Sequence, residues 1–270
     1  KSKHQTFSII YKDPKASYCD ESYFIKKLSY LNLSSNSIEP LKKDYRNDCK
    51  KIINALENPQ DSTLVSVWYT YKLVSKYKFK VTLEGQGADE LLGGYYSFIT
   101  RYLADLNLFN FLLEAKKFLS IPGARIYVIK ALPFVFFKSI FGKYFTNKII
   151  TKFFKRIPQE SLNAHLKEDM ETRLINLINY GDRLSMAHSV ESRMPFLDYR
   201  LIEFMFKLPS CYKLHNGWTK YIARLAFKDK LPKEICWRKD KMGWPSPEEL
   251  WFKNGLNKWL QESILNSSFL

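Results

Sequence analysis

Residues 79–95 read Phe79-Lys-Val-Thr-Leu-Glu-Gly-Gln-Gly-Ala-Asp-Glu-Leu-Leu-Gly-Gly-Tyr95. Phe79 to Glu84 reads as a strand that runs directly into Gly85-Gln86-Gly87, followed by two acids and the start of a helix. Glycines in such a turn permit positive φ and let a ligand come close to the backbone. The end of a parallel strand is also where open α/β sheets bind their ligands. Asp89 is the residue type that holds Mg²⁺ together with water and phosphate oxygens. The plainer reading is a tight turn at Gly85 and Gly87, with Asp89-Glu90 capping a helix. The Gly93-Gly94 spacing is not that of a dinucleotide fingerprint, and the chain contains no Gly-Lys-Ser or Gly-Lys-Thr of a Walker loop.

Working outward, Thr6 to Tyr11 is a second strand, closed by a turn at Asp13-Pro14. Asp20-Glu21-Ser22 opens an amphipathic helix bearing Tyr23, Phe24, Ile25 and Leu28, and Asn32 to Ser37 reads as a loop. Helices are expected over Leu41–Leu56 and Thr63–Lys76, separated at Asn58-Pro59. Helix, strand, glycine turn and helix in succession predict a parallel sheet with crossover helices. Only two good strands are visible, which suggests part of a larger sheet. Beyond Tyr95 strand signals fade, and Phe98–Leu119 and Tyr180–Leu208 carry helical periodicity punctuated by Pro122, Pro133, Pro158, Pro195 and Pro209. The expected organisation is a partial α/β region over residues 1–100, an aromatic and lysine-rich helical insert over 101–165, and a helical part over 166–270.

Of the 270 residues, 46% are hydrophobic and 16% aromatic, which excludes general disorder. The net charge of +16 favours anionic partners such as nucleotides, carboxylates, nucleic acid or acidic lipid, yet the lysines are spread along the chain like a solvated surface. Cys19, Cys49, Cys211 and Cys236 are scattered without a CxxC pair, so a reducing cytoplasm is the simpler expectation. No signal peptide is apparent. The longest apolar run, Ile126 to Phe141, is interrupted by Lys130, Pro133 and Lys138, so no transmembrane segment is expected.

Leu83 to Tyr95 closely resembles the G-x-G-x-D-E-hydrophobic-hydrophobic-G-G-Y signature of asparagine synthetases. Asp182-Arg-Leu-Ser-Met-Ala-His-Ser-Val-Glu-Ser-Arg-Met-Pro-Phe-Leu-Asp198 is similar to a second stretch of that family. Asn216-Gly-Trp-Thr-Lys-Tyr-Ile-Ala-Arg224, Leu231-Pro232 and Arg238-Lys-Asp-Lys-Met-Gly243 follow in the same order. The insert matches none of these motifs. The resemblance implies the α/β, predominantly helical fold of the pyrophosphatase-loop nucleotide hydrolase type. It also implies ATP-dependent activation of a carboxylate, aspartate in ordinary members, with ammonia from a glutaminase domain displacing AMP. ATP and Mg²⁺ are the implied cofactors, and no nucleic-acid partner is expected.

By the same resemblance, Asp89 matches a magnesium-binding aspartate and Lys220 a lysine that contacts phosphates and stabilises the transition state. Gly85, Gly87 and Glu90 fall in the cofactor-binding turn, and Asp182 lies near an acid that supports catalysis in relatives, the plainer reading being a helix N-cap after Gly181. Glu191 and Arg193 are expected to form a structural ion pair, and His188 to be a packed helical histidine beside Met186. Gln86 occupies a position where family members often carry an acid, and glutamine cannot serve as a general base. Proton transfer then falls to Asp182, Glu84 or water, or the acceptor is another carboxylate, such as a sugar acid of surface-polysaccharide synthesis. The family's S-G-G-x-D-S loop and glutaminase domain are expected upstream of Lys1, and the isolated chain is expected to be inactive. Competing readings are another pyrophosphatase-loop enzyme, tRNA-modifying or β-lactam-forming, and a non-enzymatic scaffold or membrane-surface adaptor. A homodimer is left open.

Overall fold

A computed structural model describes residues 3–57, 64–153 and 161–267. The expected break at Asn58-Pro59, the start of a helix at Thr63 and the punctuation at Pro158 lie outside the described residues. In chain order the elements begin with β1 (His4–Ile9), α1 (Ser22–Lys27), β2 (Leu33–Ile38), α2 (Lys42–Leu56), α3 (Val65–Lys76) and β3 (Val81–Leu83). Next come α4 (Ala88–Leu92), α5 (Ser97–Asp105), α6 (Leu108–Phe118), α7 (Arg125–Phe153), α8 (Leu162–Glu171) and α9 (Arg173–Met186). After β4 (Glu191–Arg193), the chain closes with α10 (Tyr199–Lys207), α11 (Tyr221–Phe227), α12 (Lys233–Cys236), α13 (Glu248–Trp251) and α14 (Asn257–Leu265). The fold is thus predominantly helical α/β with parallel strands. No helix among the described residues is long and apolar enough to cross a membrane.

The chain forms two compact units. The first comprises residues 1–83, 178–193 and 242–270. It holds two separate parallel strand pairs, β1 with β2 from His4–Leu33 to Ile9–Ile38, and β3 with β4 from Val81–Glu191 to Leu83–Arg193. Helix α3 is enclosed on nearly every side, with Val65, Tyr71 and Val74 fully buried against Tyr45, Ile52 and Leu56 of α2. The buried Asp48 of α2 bonds the Lys72 ammonium at 2.6 Å, Lys51 at 2.9 Å and the Tyr69 hydroxyl at 3.1 Å. Burial alone would raise its pKa, but the two ammoniums outweigh that and hold the carboxyl well below the usual range.

Two expectations need correction in this unit. The stretch read as a loop, Asn32 to Ser37, lies largely within β2. Its serines and asparagine have poor intrinsic strand preference, but pairing along β1 overrides that, and the Asn36 amide donates to Gln5 Oε1 at 2.8 Å. Four short strands stand among the described residues rather than two. The three residues of β4 are too few and too polar to show a period.

The second unit, residues 84–177 and 194–241, is helical. Phe98, Leu103, Phe111, Phe118, Leu162 and Leu214 form one core, and Leu91, Leu92 and Met205 belong to another. The helix expected over Phe98–Leu119 is broken between α5 and α6, where the Asn107 side chain accepts the Asn110 N–H at 2.9 Å and starts α6 afresh. The periodicity over Tyr180–Leu208 is likewise not one helix. Helix α9 ends at Met186, Ser189 takes a positive φ of 57°, and α10 starts where Asp198 accepts the Arg200 N–H at 2.9 Å.

Candidate functional site

The glycine turn makes a local structure that few other residues would permit. Gly87 has φ +85°, and a Cβ there would come within 2.3 Å of Leu197 Cδ2. At Gly85 a Cβ would meet nothing within 4 Å, so that backbone borders open space. The helix that follows, α4, lasts five residues before Gly93 ends it in the left-handed region. The Gly94 N–H then donates to the Asp89 carbonyl at 2.8 Å, folding the chain back beneath the Asp89 side chain.

Asp89 is the centre of a small charged cluster. Its Oδ1 lies 2.9 Å from Lys220 Nζ, and its Oδ2 lies 3.4 Å from Lys241 Nζ. All three side chains are partly exposed, at 22%, 30% and 26% respectively. Oδ1 itself is shielded and makes no aligned hydrogen bond among the described residues, so an ion pair alone compensates its charge. The cluster rests on Gly94, where a Cβ would fall 1.8 Å from Asp89 Oδ1 and 2.4 Å from Lys220 Cε.

Lys220 is delivered by a hairpin. His215 and Trp218 exchange backbone hydrogen bonds of 3.0 and 2.9 Å around Asn216-Gly217, whose φ values of 54° and 70° are those Asn-Gly adopts in tight hairpin turns. Tyr221 N–H donates to the Lys213 carbonyl at 2.8 Å and closes the loop, leaving Lys220 left-handed at φ 53° just before α11. Gly217 sits against α6, since a Cβ there would lie 2.6 Å from the Lys117 carbonyl oxygen. Lys213 anchors the base of the hairpin. It is fully buried, donates to Asn163 Oδ1, and burial pushes its ammonium down to about 8.

Lys241 is held by Tyr96, whose hydroxyl donates to the Lys239 carbonyl at 3.0 Å and accepts the Lys241 N–H at 2.9 Å. Its ammonium lies 5.3 Å from the centroid of the Tyr95 ring, and the Arg173 guanidinium covers that ring at 3.9 Å. The Tyr95 hydroxyl donates to Glu90 Oε1 at 2.8 Å; burial first, and then the Glu90 charge, push that hydroxyl's pKa up.

Of the residues singled out in the sequence, the second unit therefore brings Gly85, Gln86, Gly87, Asp89, Glu90 and Lys220 to one turn and its facing hairpin. Glu90 is buried and engaged with Tyr95. Asp182 belongs to the first unit, exposed inside α9, and is not a helix N-cap because that helix already runs from Arg173. Glu191 and Arg193 do pair, Arg193 Nε donating to Glu191 Oε1 at 2.7 Å on the surface. His188 is packed as expected, 4.2 Å from the Trp68 ring, but in the turn after α9 rather than within a helix. Sequence reasoning missed Lys241. Its block, Arg238 to Gly243, was visible, but only the fold sets its side chain beside Asp89.

Comparison with known proteins agrees with these motifs. The family model for asparagine synthase matches residues 1–269. The chain is 26% identical to asparagine synthetase [glutamine-hydrolyzing] 1 of Bacillus subtilis, over 97% of the chain and 45% of that relative. It is 29% identical to asparagine synthetase [glutamine-hydrolyzing] 3 of the same organism, over 74% of the chain and 31% of the relative. A shorter match, 35% identical, covers 35% of the chain and 18% of the asparagine synthetase of Gallus gallus. The chain thus spans less than half the length of these relatives, and over that span it belongs to the asparagine synthase family.

Proposed function

We propose that this chain forms the synthetase part of an enzyme that makes an amide from a carboxylate at the expense of ATP, with Asp89, Lys220 and Lys241 handling the phosphates. The observation that carries this reading is one carboxylate set between two ammoniums on a floor of glycine. In the first step the substrate carboxylate attacks the α-phosphorus, its oxygen bonding to AMP while the bond to pyrophosphate breaks. Ammonia then attacks the acyl carbon, AMP leaves, and a proton is released to give the amide.

Each residue type suits part of this. Lys220 and Lys241 draw phosphate oxygens to the turn and offset negative charge as pyrophosphate departs. The open backbone at Gly85 lets the activated acyl group lie close. The donor set also suits Mg²⁺, which binds through one or two carboxylates plus substrate phosphates rather than an all-protein cage. Asp89 Oδ1, shielded and without an aligned hydrogen bond among the described residues, is the atom that would hold it. When bound there, the ion would neutralise charge on the leaving pyrophosphate. Lys220 and Lys241 would pass from the carboxylate to phosphate oxygens.

Aspartate, with ammonia released from glutamine, is the first choice of substrate. Gln86 cannot take the proton of attacking ammonia, so that role falls to another group or to water. Because the position departs from the family's usual acid, a sugar carboxylate is kept as a second acceptor to be tested. The test is release of AMP and pyrophosphate by the full-length protein with ATP, Mg²⁺, glutamine and either aspartate or a uronic acid. Release dependent on one acceptor and reduced at least about hundredfold by Lys220→Ala supports the reading. Absence of release with either acceptor overturns it.

A further inference from the structure

Helices α6 and α7 of the second unit are apolar on two faces, and the described residues cover one of them. Phe111 and Phe118 of α6 and Val128, Ala131 and Val135 of α7 are buried in the unit's core. The other faces present Phe109, Leu112, Ile126, Ile129, Phe136 and Ile140, each between 50% and 71% exposed. On α7 the spacing Ile126, Ile129, Phe136, Ile140 falls along one stripe of a 3.6-residue helix. A surface helix of a soluble domain would carry polar residues there.

Beyond Glu114, the charge along the sequence of these helices has one sign. From Ala115 to Pro158 the chain has no Asp or Glu, while Lys116, Lys117, Arg125, Lys130 and Lys138 are followed by five further bases up to Arg156. Lys116, Arg125 and Lys130 are exposed. We propose that this exposed α6–α7 face docks on an anionic lipid surface, its apolar side chains at the acyl boundary and its bases among the headgroups. Neither helix is long and apolar enough over the described residues to span a bilayer, so the helices lie on it. A second copy of the chain is a poor occupant, because two-fold docking would set these bases against one another. Attraction of basic segments to acidic headgroups has the matching sign.

The experiment is co-sedimentation of the full-length protein with phosphatidylcholine vesicles, with and without phosphatidylserine, at low and high salt. The expected result is binding to the anionic vesicles, partly retained at high salt because the apolar contact is not screened. Phe109→Ser with Phe136→Ser should weaken binding at least about tenfold while the circular dichroism and the thermal transition persist, since both side chains are exposed. Lys116→Glu with Lys130→Glu should abolish the preference for anionic vesicles. Equal binding to neutral vesicles, no binding to either, or unchanged binding by both variants overturns the proposal. Sedimentation showing that self-association or another protein covers this face, with no vesicle binding, overturns it as well.

Discussion

Replacing Gly94 by alanine tests whether the Asp89–Lys220 pair is the working part of this protein. Gly94 is not among the residues at positive φ, so its backbone accepts an alanine. The new methyl group would stand 1.8 Å from Asp89 Oδ1 and 2.4 Å from Lys220 Cε. Ordinary contact needs roughly 3.5 Å, so both side chains must move by about 1 Å or more. Both are side-chain atoms, so rotation can relieve the clash. An off-rotamer carboxylate costs about 0.5–1.5 kcal/mol, and a partly exposed ion pair contributes up to about 1 kcal/mol. The expected loss of stability is therefore about 1–2 kcal/mol, a fall of a few degrees in Tm. Catalysis should suffer more, because a displacement of about 1 Å costs on the order of 10²-fold in rate. The assay pairs AMP release by the full-length protein with a thermal melt. Adding Lys220→Ala to Gly94→Ala should cost little beyond the single change, because both act on one pair. Release within about threefold of the unmodified protein, with Lys220→Ala still severely impaired, would refute the reasoning, as the lysine would then work without its place over Gly94.

Two further predictions concern the first unit. Burial, and then the Lys72 charge, lower the pKa of His188 from 6.5 to about 4, against an opposing pull from Asp48, and its Nε2 has no hydrogen-bond partner among the described residues. The unfolded chain therefore takes up a proton at higher pH than the folded one. Stability should be complete above about pH 6.5 and fall as the pH drops toward 4, by about 1–2 kcal/mol after discounting for partial exposure. Urea unfolding across that range should show this, and His188→Phe should flatten the dependence; an unchanged slope would refute it. Gly181 lies inside α9, and a Cβ there would meet no heavy atom within 4 Å. Gly181→Ala should raise stability by about 0.5–1 kcal/mol in the same assay, and a loss would mean the space is not open.

The site was legible in so far as it is local. Gly85 to Gly94 must turn, start a helix and end it within a few residues, and glycine chemistry writes that plainly into the chain. Asn216-Gly217 is equally local, since that pair takes the left-handed conformations a tight hairpin needs. The residues of β2 resemble a loop in the sequence because their partner, β1, begins 29 residues earlier (Leu33 against His4) and contributes the order the serines lack. The outcome at Tyr180–Leu208 has the same character. Apolar spacing continued, but Ser189 at positive φ and the pairing of Glu191–Arg193 with Val81–Leu83 broke the helix.

What the sequence by itself determined, then, was the family, the helical α/β class and the glycine turn, because these rest on backbone freedom and on ordered motifs; Asp89 and Lys220 it marked as candidates. Only the tertiary structure decided that Lys241 stands 3.4 Å from Asp89, that Glu90 is buried with Tyr95, and that Gly94 is the floor of the cluster. Those are contacts across as many as 152 positions of chain, from 89 to 241, set by how Tyr96 holds 239–241. Local preferences carry no record of which distant residue will arrive beside a charge, and that is settled only when the core closes around it.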